Sequence, residues 1–405
     1  MRARLIQGLK ERCDRAGWMS VHRGVPPAWL GYRWVPLETV PQYFARHGGA
    51  PGAGRCETVH PAATAEHPLP CNVASRTDLP DDRGWWGFSF RDVPRRPGGE
   101  TFIATLPGCR IVWYRDEARS NDFYPAILTG DGRGLDMREL RFRPRHAETL
   151  RRCPAPVRRR KATWIIERVY HNHSHWLTAH LPKLLLLRER DALGDVLLPR
   201  DRTPAIDGSL RALGLDPSAF ATFDPSRPLL VDELTIVGTD RFRPELLQLV
   251  ARAFGATSAS PPWRRVFISR ARASRRRLVG EEAIWALFER EGFERVHMEE
   301  LSFAAQLALM RETAVIAAPH GAGLTNMIFC PPGAHVVEIA DLTFPNPNFY
   351  ALASALTHHY WLVAGEGLGA GHPLDRDLRV EPAAVADTLG RLRVHSEAAY
   401  GRSAR

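Results

Sequence analysis

In the last third of the chain, short continuous apolar runs alternate with stretches whose apolar residues return every three or four positions, the rhythm of strands alternating with helices. Arg265 to Ser269 reads as a strand, and Glu281 to Glu291 as a helix stopped by Gly292, the residue type that best accepts the left-handed turn past a helix end. Arg295 to Met298 is a second strand. Ser302 caps a helix over Phe303 to Arg311, Ala314 to Ala318 is an unbroken apolar strand, and Leu324 to Phe329 is a short helix. His335 to Ile339, a helix over Phe349 to Thr357 and the strand Tyr360 to Val363 complete the run. Strands apolar on both faces and joined by helices predict an α/β fold, a doubly wound parallel sheet covered on both sides. Gly365 to Gly371 reads as a hinge-like linker before a closing helix, Glu381 to Arg393.

Upstream the pattern is weaker. Thr101 to Leu106, Arg110 to Tyr114 and Tyr124 to Thr129 are β-prone, with a turn over Thr129 to Gly134. Thr163 to Val169 is strand-like, and Trp176 to Leu187 has the apolar density of a buried helix. Pro26 to Gly99 is rich in Pro, Gly, His and aromatic residues and yields little regular structure: Gly48 to Gly54 reads as a loop, and Trp85-Trp86 as an anchor.

Composition adds bounds. The 405 residues are 44% hydrophobic and 25% charged, ordinary globular values with room for two or three domains. Only Lys10, Lys161 and Lys183 among the 55 cationic residues are lysine, leaving 52 arginines against 45 acids and a net charge of +10. Codon bias accounts for most of them. Met1 to Ser20 has basic residues but no apolar stretch of the kind a signal peptide needs, and the nearest approach to a membrane span, Ala314 to Phe329, is interrupted by His320, Thr325 and Asn326. The expectation is a cytoplasmic protein, soluble or membrane-peripheral. Cys13, Cys56, Cys71, Cys109, Cys153 and Cys330 form no short Cys-x-x-Cys pair, which predicts neither a metal site nor a disulfide framework.

In a doubly wound sheet, ligands bind beyond the carboxyl ends of the strands. Ala314 to Ala318 runs into Pro319-His320-Gly321-Ala322-Gly323-Leu324-Thr325-Asn326, where the glycines let an anion approach the backbone of the following helix. The bland alternative is a tight turn that uses small residues for packing. Ser269-Arg270, followed by Arg272, Arg275, Arg276, Arg277 and Glu281, sets guanidinium groups at the end of another strand, suited to clamping a diphosphate. Glu338, on the strand after the glycine loop, could accept bonds from ribose hydroxyls or serve as an ordinary paired carboxylate. Asp375-Arg376-Asp377, the only Asp-x-Asp, falls in the linker and reads as solvated charge.

Together these motifs, with Phe303 to Gln306, Phe329 and Pro332-Gly333-Ala334, resemble the family 61 glycosyltransferases, the DUF563 group. Upstream, Asn172-His173-Ser174-His175-Trp176-Leu177 with Leu181-Pro182 resembles the family's Asn-aromatic-aromatic-His-Trp segment, with His173-Ser174 in place of the aromatic pair. Gly280 stands where the family generally has Asn. The resemblance implies a GT-B architecture of two Rossmann-like domains facing a cleft: an irregular region 1–100 packed on the first domain, an acceptor-side domain 101–230, a nucleotide-sugar domain 231–364, and a linker with C-terminal helix 365–405. It implies inverting transfer from a nucleotide sugar, a UDP-sugar, to a glycan or glycolipid acceptor in surface polysaccharide synthesis, with no cofactor or metal required. The donor-side residues would be Ser269, Arg270, Arg275, Arg276, His320, Gly321, Ala322, Gly323, Leu324, Asn326 and Glu338. His175 is the candidate general base, since its ordinary pKa suits proton acceptance at neutral pH; alternatively it caps its helix or orients Trp176. A different class, a non-enzymatic nucleic-acid-binding protein, is suggested by the net charge and the run Arg158-Arg159-Arg160-Lys161, but no recognition motif accompanies them. The same run could rest on an anionic membrane. A hydrolase with Ser269 or Ser174 as nucleophile would need a Gly-x-Ser-x-Gly elbow that the sequence lacks.

Overall fold

In a computed structural model of the protein, the structure describes residues 35–48, 50, 52–84, 86–116, 122–152, 154–255 and 261–403. The expectations for Met1 to Trp34, including Cys13, and for Gly49, Pro51, Trp85 and Cys153 lie outside the described residues.

The second half of the chain forms a six-stranded sheet in the spatial order Glu294–Val296, Arg264–Ile268, Thr313–Pro319, His335–Asp341, His359–Leu368, Asp377–Val380. The first five strands are parallel and the last is antiparallel. Successive residues serve opposite faces. Phe267, Val315, Ala317, Val337, Ile339, Trp361 and Val363 pack with Ile284 and Phe288 of the helix Glu281–Arg290 and with Val385 and Leu389 of Pro382–Ser403. Val266, Ile268, Ile316, Ala318, Val336 and Ala340 face a second, larger core. Because both faces are buried, a one-residue slip would exchange two differently shaped cores, so the register is strongly set. Ser302 Oγ accepts the Ala305 N–H at 3.2 Å as the N-cap of Phe303–Arg311, and Gly292 takes φ 76°.

Where a hinge-like linker was expected, Gly365 to Leu368 instead prolong a strand and pair with Asp377–Val380. The returning chain satisfies backbone groups that a linker would leave to water, and a Cβ at Gly365 would come within 2.9 Å of Arg379 O.

The first half builds a nine-stranded mixed sheet rather than a doubly wound parallel one. Thr101–Asp116 pairs antiparallel with Asp122–Leu128, Leu229–Gly238 and Arg55–His60. Val157–Trp164, Val196–Pro199 and Ala221–Phe223 continue from Leu229–Gly238 in parallel. Thr101–Asp116 and Asp122–Leu128 are too close in sequence for a crossover helix, which makes antiparallel pairing the available solution. The strand expected over Thr163 to Val169 starts earlier and takes in the basic run: Arg158 pairs with Asp232 and Lys161 with Glu233, each at 3.0 Å. Acids on the neighbouring strand therefore offset charge that suggested nucleic acid or a membrane surface.

Pro68, Cys71, Asn72 and Trp86 bond to the second half, while Arg55–His60 pairs with the first sheet. The Cys71 N–H bonds Tyr360 O at 2.7 Å. The Asn72 amide donates to Leu362 O at 2.7 Å and accepts from Leu362 N–H at 3.0 Å, so one side chain imitates a strand and closes a sheet edge. Tyr350 OH reaches Pro68 O at 2.6 Å, and Trp86 Nε1 reaches Pro345 O at 2.9 Å. The larger core runs without a break from Leu106 and Trp164 through Leu177 and Leu184 to Ile316 and Leu324. No helix among the described residues is long and apolar enough to cross a membrane.

Candidate active site

Numbered by sequence, the five parallel strands lie in the order 2-1-3-4-5, so chain direction across the sheet reverses between Arg264–Ile268 and Thr313–Pro319. At such a switch point the two connections leave in opposite directions and open a crevice beyond the strand ends. Ser269-Arg270 follows one of these strands and His320-Gly321 the other.

Glu281, at the start of its helix, fixes the first connection. One carboxylate oxygen accepts the Ser269 hydroxyl and the other the Arg270 N–H at 3.2 Å. From that anchor the Arg270 guanidinium donates to Arg276 O and Arg275 O, both at 2.8 Å, and shapes the arginine loop. Its remaining edge lies against the glycine loop: a Cβ on Gly321 would stand 2.2 Å from Arg270 Nη1, so only glycine admits this approach. Arg275 and Arg277 turn away to Asp375 (2.7 Å) and Asp377 (3.1 Å), so the two acids expected as solvated charge tether the loop from outside. Between them Arg276, held at φ 57°, lines a cleft with His320, Asn346 and Arg376. Its Nε is buried without a hydrogen-bond partner among the described residues. Burial, then repulsion from Arg270 and Arg275, pushes the Arg276 pKa down to about 10. A site crowded with cations and short of acceptors gains most from a dianion.

His320 enters the same cleft. Its Nδ1 donates to Glu338 at 2.5 Å and its Nε2 accepts from the Asn346 amide at 3.1 Å. Glu338 is fully buried, and its second oxygen accepts from Tyr360 OH at 2.6 Å. Both oxygens are thus engaged inside the protein, which places Glu338 behind His320 as its orienting acid rather than at the surface where ribose hydroxyls would sit. Gly323 lets the turn pack on Ile268, 3.1 Å from where a Cβ would be, and Leu324 is in the core. Asn326, 1% exposed, accepts at Oδ1 from His173 Nε2 at 3.0 Å, while its amide nitrogen is buried without a partner.

That bond ties the glycine loop to the helical segment of the first half. Asn172 caps the segment, accepting from Ser174 N–H (2.9 Å) and His175 N–H (3.3 Å). The helix then widens to a π turn over Trp176–His180 before Leu181–Arg188, with Leu181 N–H bonded to Trp176 O. Pro182 supplies no N–H to the ladder, and His180 Nδ1 takes up the His175 carbonyl at 2.9 Å. His180 Nε2 in turn accepts Glu167 N–H at 3.0 Å. Glu167 is held down to about 2, with the buried Lys183 and then Arg138 outweighing its desolvation. Trp176 is oriented by Ser209 Oγ at 2.8 Å and by stacking on His180.

His175 therefore neither caps the helix nor orients Trp176, the two structural roles weighed for it. Its ring, partly exposed, makes no hydrogen bond among the described residues, and burial followed by the charge of Arg241 pushes its pKa well below the ordinary value. It is neutral at neutral pH. Arg241, bonded to Thr178 Oγ1 at 3.1 Å, is itself lowered to about 9, chiefly by desolvation.

The structure thus brings Arg276 and His320 together at the cleft, lays Arg270 against Gly321, sets Asn326 against His173, and turns Arg275 outward. Sequence reasoning did not single out Asn346, Tyr360 or Arg241, because each acts through a partner distant in the chain. Residues 173–337 match the family model described as Glycosyltransferase 61. Among curated proteins, the EGF domain-specific O-linked N-acetylglucosamine transferase of Drosophila melanogaster is 34% identical over 92 residues, 21% of this chain and 18% of that protein. The matched stretch is thus about a fifth of the relative's length. The family match takes in the His175 helix, the arginine loop and the glycine loop, so the residues that build the site are those that match the Glycosyltransferase 61 model.

Proposed function

We infer that this protein is an inverting glycosyltransferase that moves a sugar from a nucleotide donor, a UDP-sugar, to a hydroxyl of a glycan acceptor in surface polysaccharide or glycoconjugate synthesis. The observation that carries the reading is the Arg270 guanidinium laid against Gly321, with Arg276 lining the neighbouring cleft beside His320. Arginines and helix N–H groups so placed neutralise the diphosphate as the glycosidic bond breaks, the role a metal ion fills in other transferases. The two sheets act as the two halves of a GT-B arrangement, donor on the second and acceptor toward the first. His175 takes the acceptor proton as the hydroxyl attacks the anomeric carbon from the face opposite the leaving diphosphate. His320, held by Glu338, contacts phosphate or the sugar.

Melting curves with a panel of nucleoside diphosphates test this reading, because a ligand of the native state raises apparent stability. UDP is expected to raise the Tm, equally with and without added Mg²⁺. A panel that leaves the Tm unmoved contradicts the donor assignment.

A further inference from the structure

The opposite end of the second sheet gathers a separate set of chemistry-bearing side chains. His335 and His359 open neighbouring parallel strands as register partners, and their rings stack with centroids 4.8 Å apart. His395, from the helix Pro382–Ser403, closes on both, at 5.3 Å from His335 and 5.1 Å from His359. Cys71 arrives from the other end of the chain, held by its bond to Tyr360 O. Its Sγ and one ring nitrogen each of His359 and His395 lie within 4.8 Å of one another.

Trp361 Nε1 donates to His335 Nδ1 at 3.0 Å, which leaves the proton of that ring on Nε2 and makes His335 a supporting donor rather than a ligand. His395 Nδ1 is buried with no hydrogen-bond partner among the described residues, an arrangement a native interior rarely keeps without an ion or water to satisfy it.

We propose that Cys71, His359 and His395 bind a zinc-class divalent ion, with His335 in support and water completing the tetrahedron. Two imidazoles and a thiolate are borderline-soft donors, the set Zn²⁺ prefers over Mg²⁺ or Ca²⁺. Tetrahedral bond lengths put such donors about 3.5 Å apart, so side-chain rotation of about an ångström closes the site. The ion would staple residue 71 and the C-terminal helix to the start of a sheet strand, at the strand ends remote from Arg276 and His320. Its role is structural and independent of the transferase reading.

The test uses the full chain, stripped with a chelator and titrated with Co²⁺. The expected result is one equivalent bound with a thiolate-to-cobalt charge-transfer band that Zn²⁺ abolishes by displacement. Cys71→Ser removes the band, His395→Gln weakens Co²⁺ binding at least tenfold, and Cys56→Ser changes neither. A wild-type protein without the band overturns the site whatever the variants do. A band that survives Cys71→Ser, or affinity unaltered in His395→Gln, overturns this ligand set.

Discussion

His175, the proposed general base, illustrates how its surroundings set the state of a side chain. Asn172 and His180 hold its backbone, while the ring is left without a partner next to Arg241. A depressed pKa keeps the imidazole unprotonated to lower pH, so the acid limb of the kcat profile should fall below 6.5, the ordinary histidine value. A midpoint at or above that value would assign the base elsewhere. His175→Ala should reduce kcat by about 10²- to 10⁴-fold while leaving donor affinity unchanged, the usual worth of a general base. Arg270 and Arg276 divide their work similarly. Arg270 spends two N–H groups on shaping its own loop, so its replacement disturbs structure and binding together, whereas Arg276 lines the cleft and its Nε has no hydrogen-bond partner among the described residues.

At the scale of elements, the glycine loop carries the site. Gly321 leaves room for a guanidinium, and Gly323 leaves room for Ile268; the sequence presents these as one Gly-x-Gly motif, yet one admits a charged side chain and the other serves packing. Gly321→Ala should push Arg270 aside and weaken UDP binding at least tenfold in an equilibrium titration, with the far-ultraviolet dichroism spectrum unchanged. Unaltered affinity would show that the close approach does not matter to the donor. The elements of the last third were legible because period, caps and glycine stops agreed over a continuous stretch. The strand Val157–Trp164 was not, because its arginines hide the alternation and are offset only by Asp232 and Glu233, more than 70 positions later. The π turn was equally hidden, since it depends on His180 being gripped by the Glu167 N–H.

For the whole molecule, the two sheets share one continuous core, and residues 68–86 cross from the first half to bind the second. A sequence reading by local periodicity assigns that segment to its neighbours in the chain; the Asn72 bonds to Leu362, 290 positions away, leave no local trace. The motifs were nevertheless readable, because each is contiguous: the strand order brings Ser269-Arg270 and the glycine loop together, and the His173 bond to Asn326 ties the His175 segment to them. That convergence on a diphosphate is the central claim, and calorimetric titration of UDP into the wild-type chain and Arg276→Ala tests it most directly. The account predicts one site in the wild type and at least a tenfold loss of affinity in the variant; no binding in the wild type, or equal affinity in both, would contradict it.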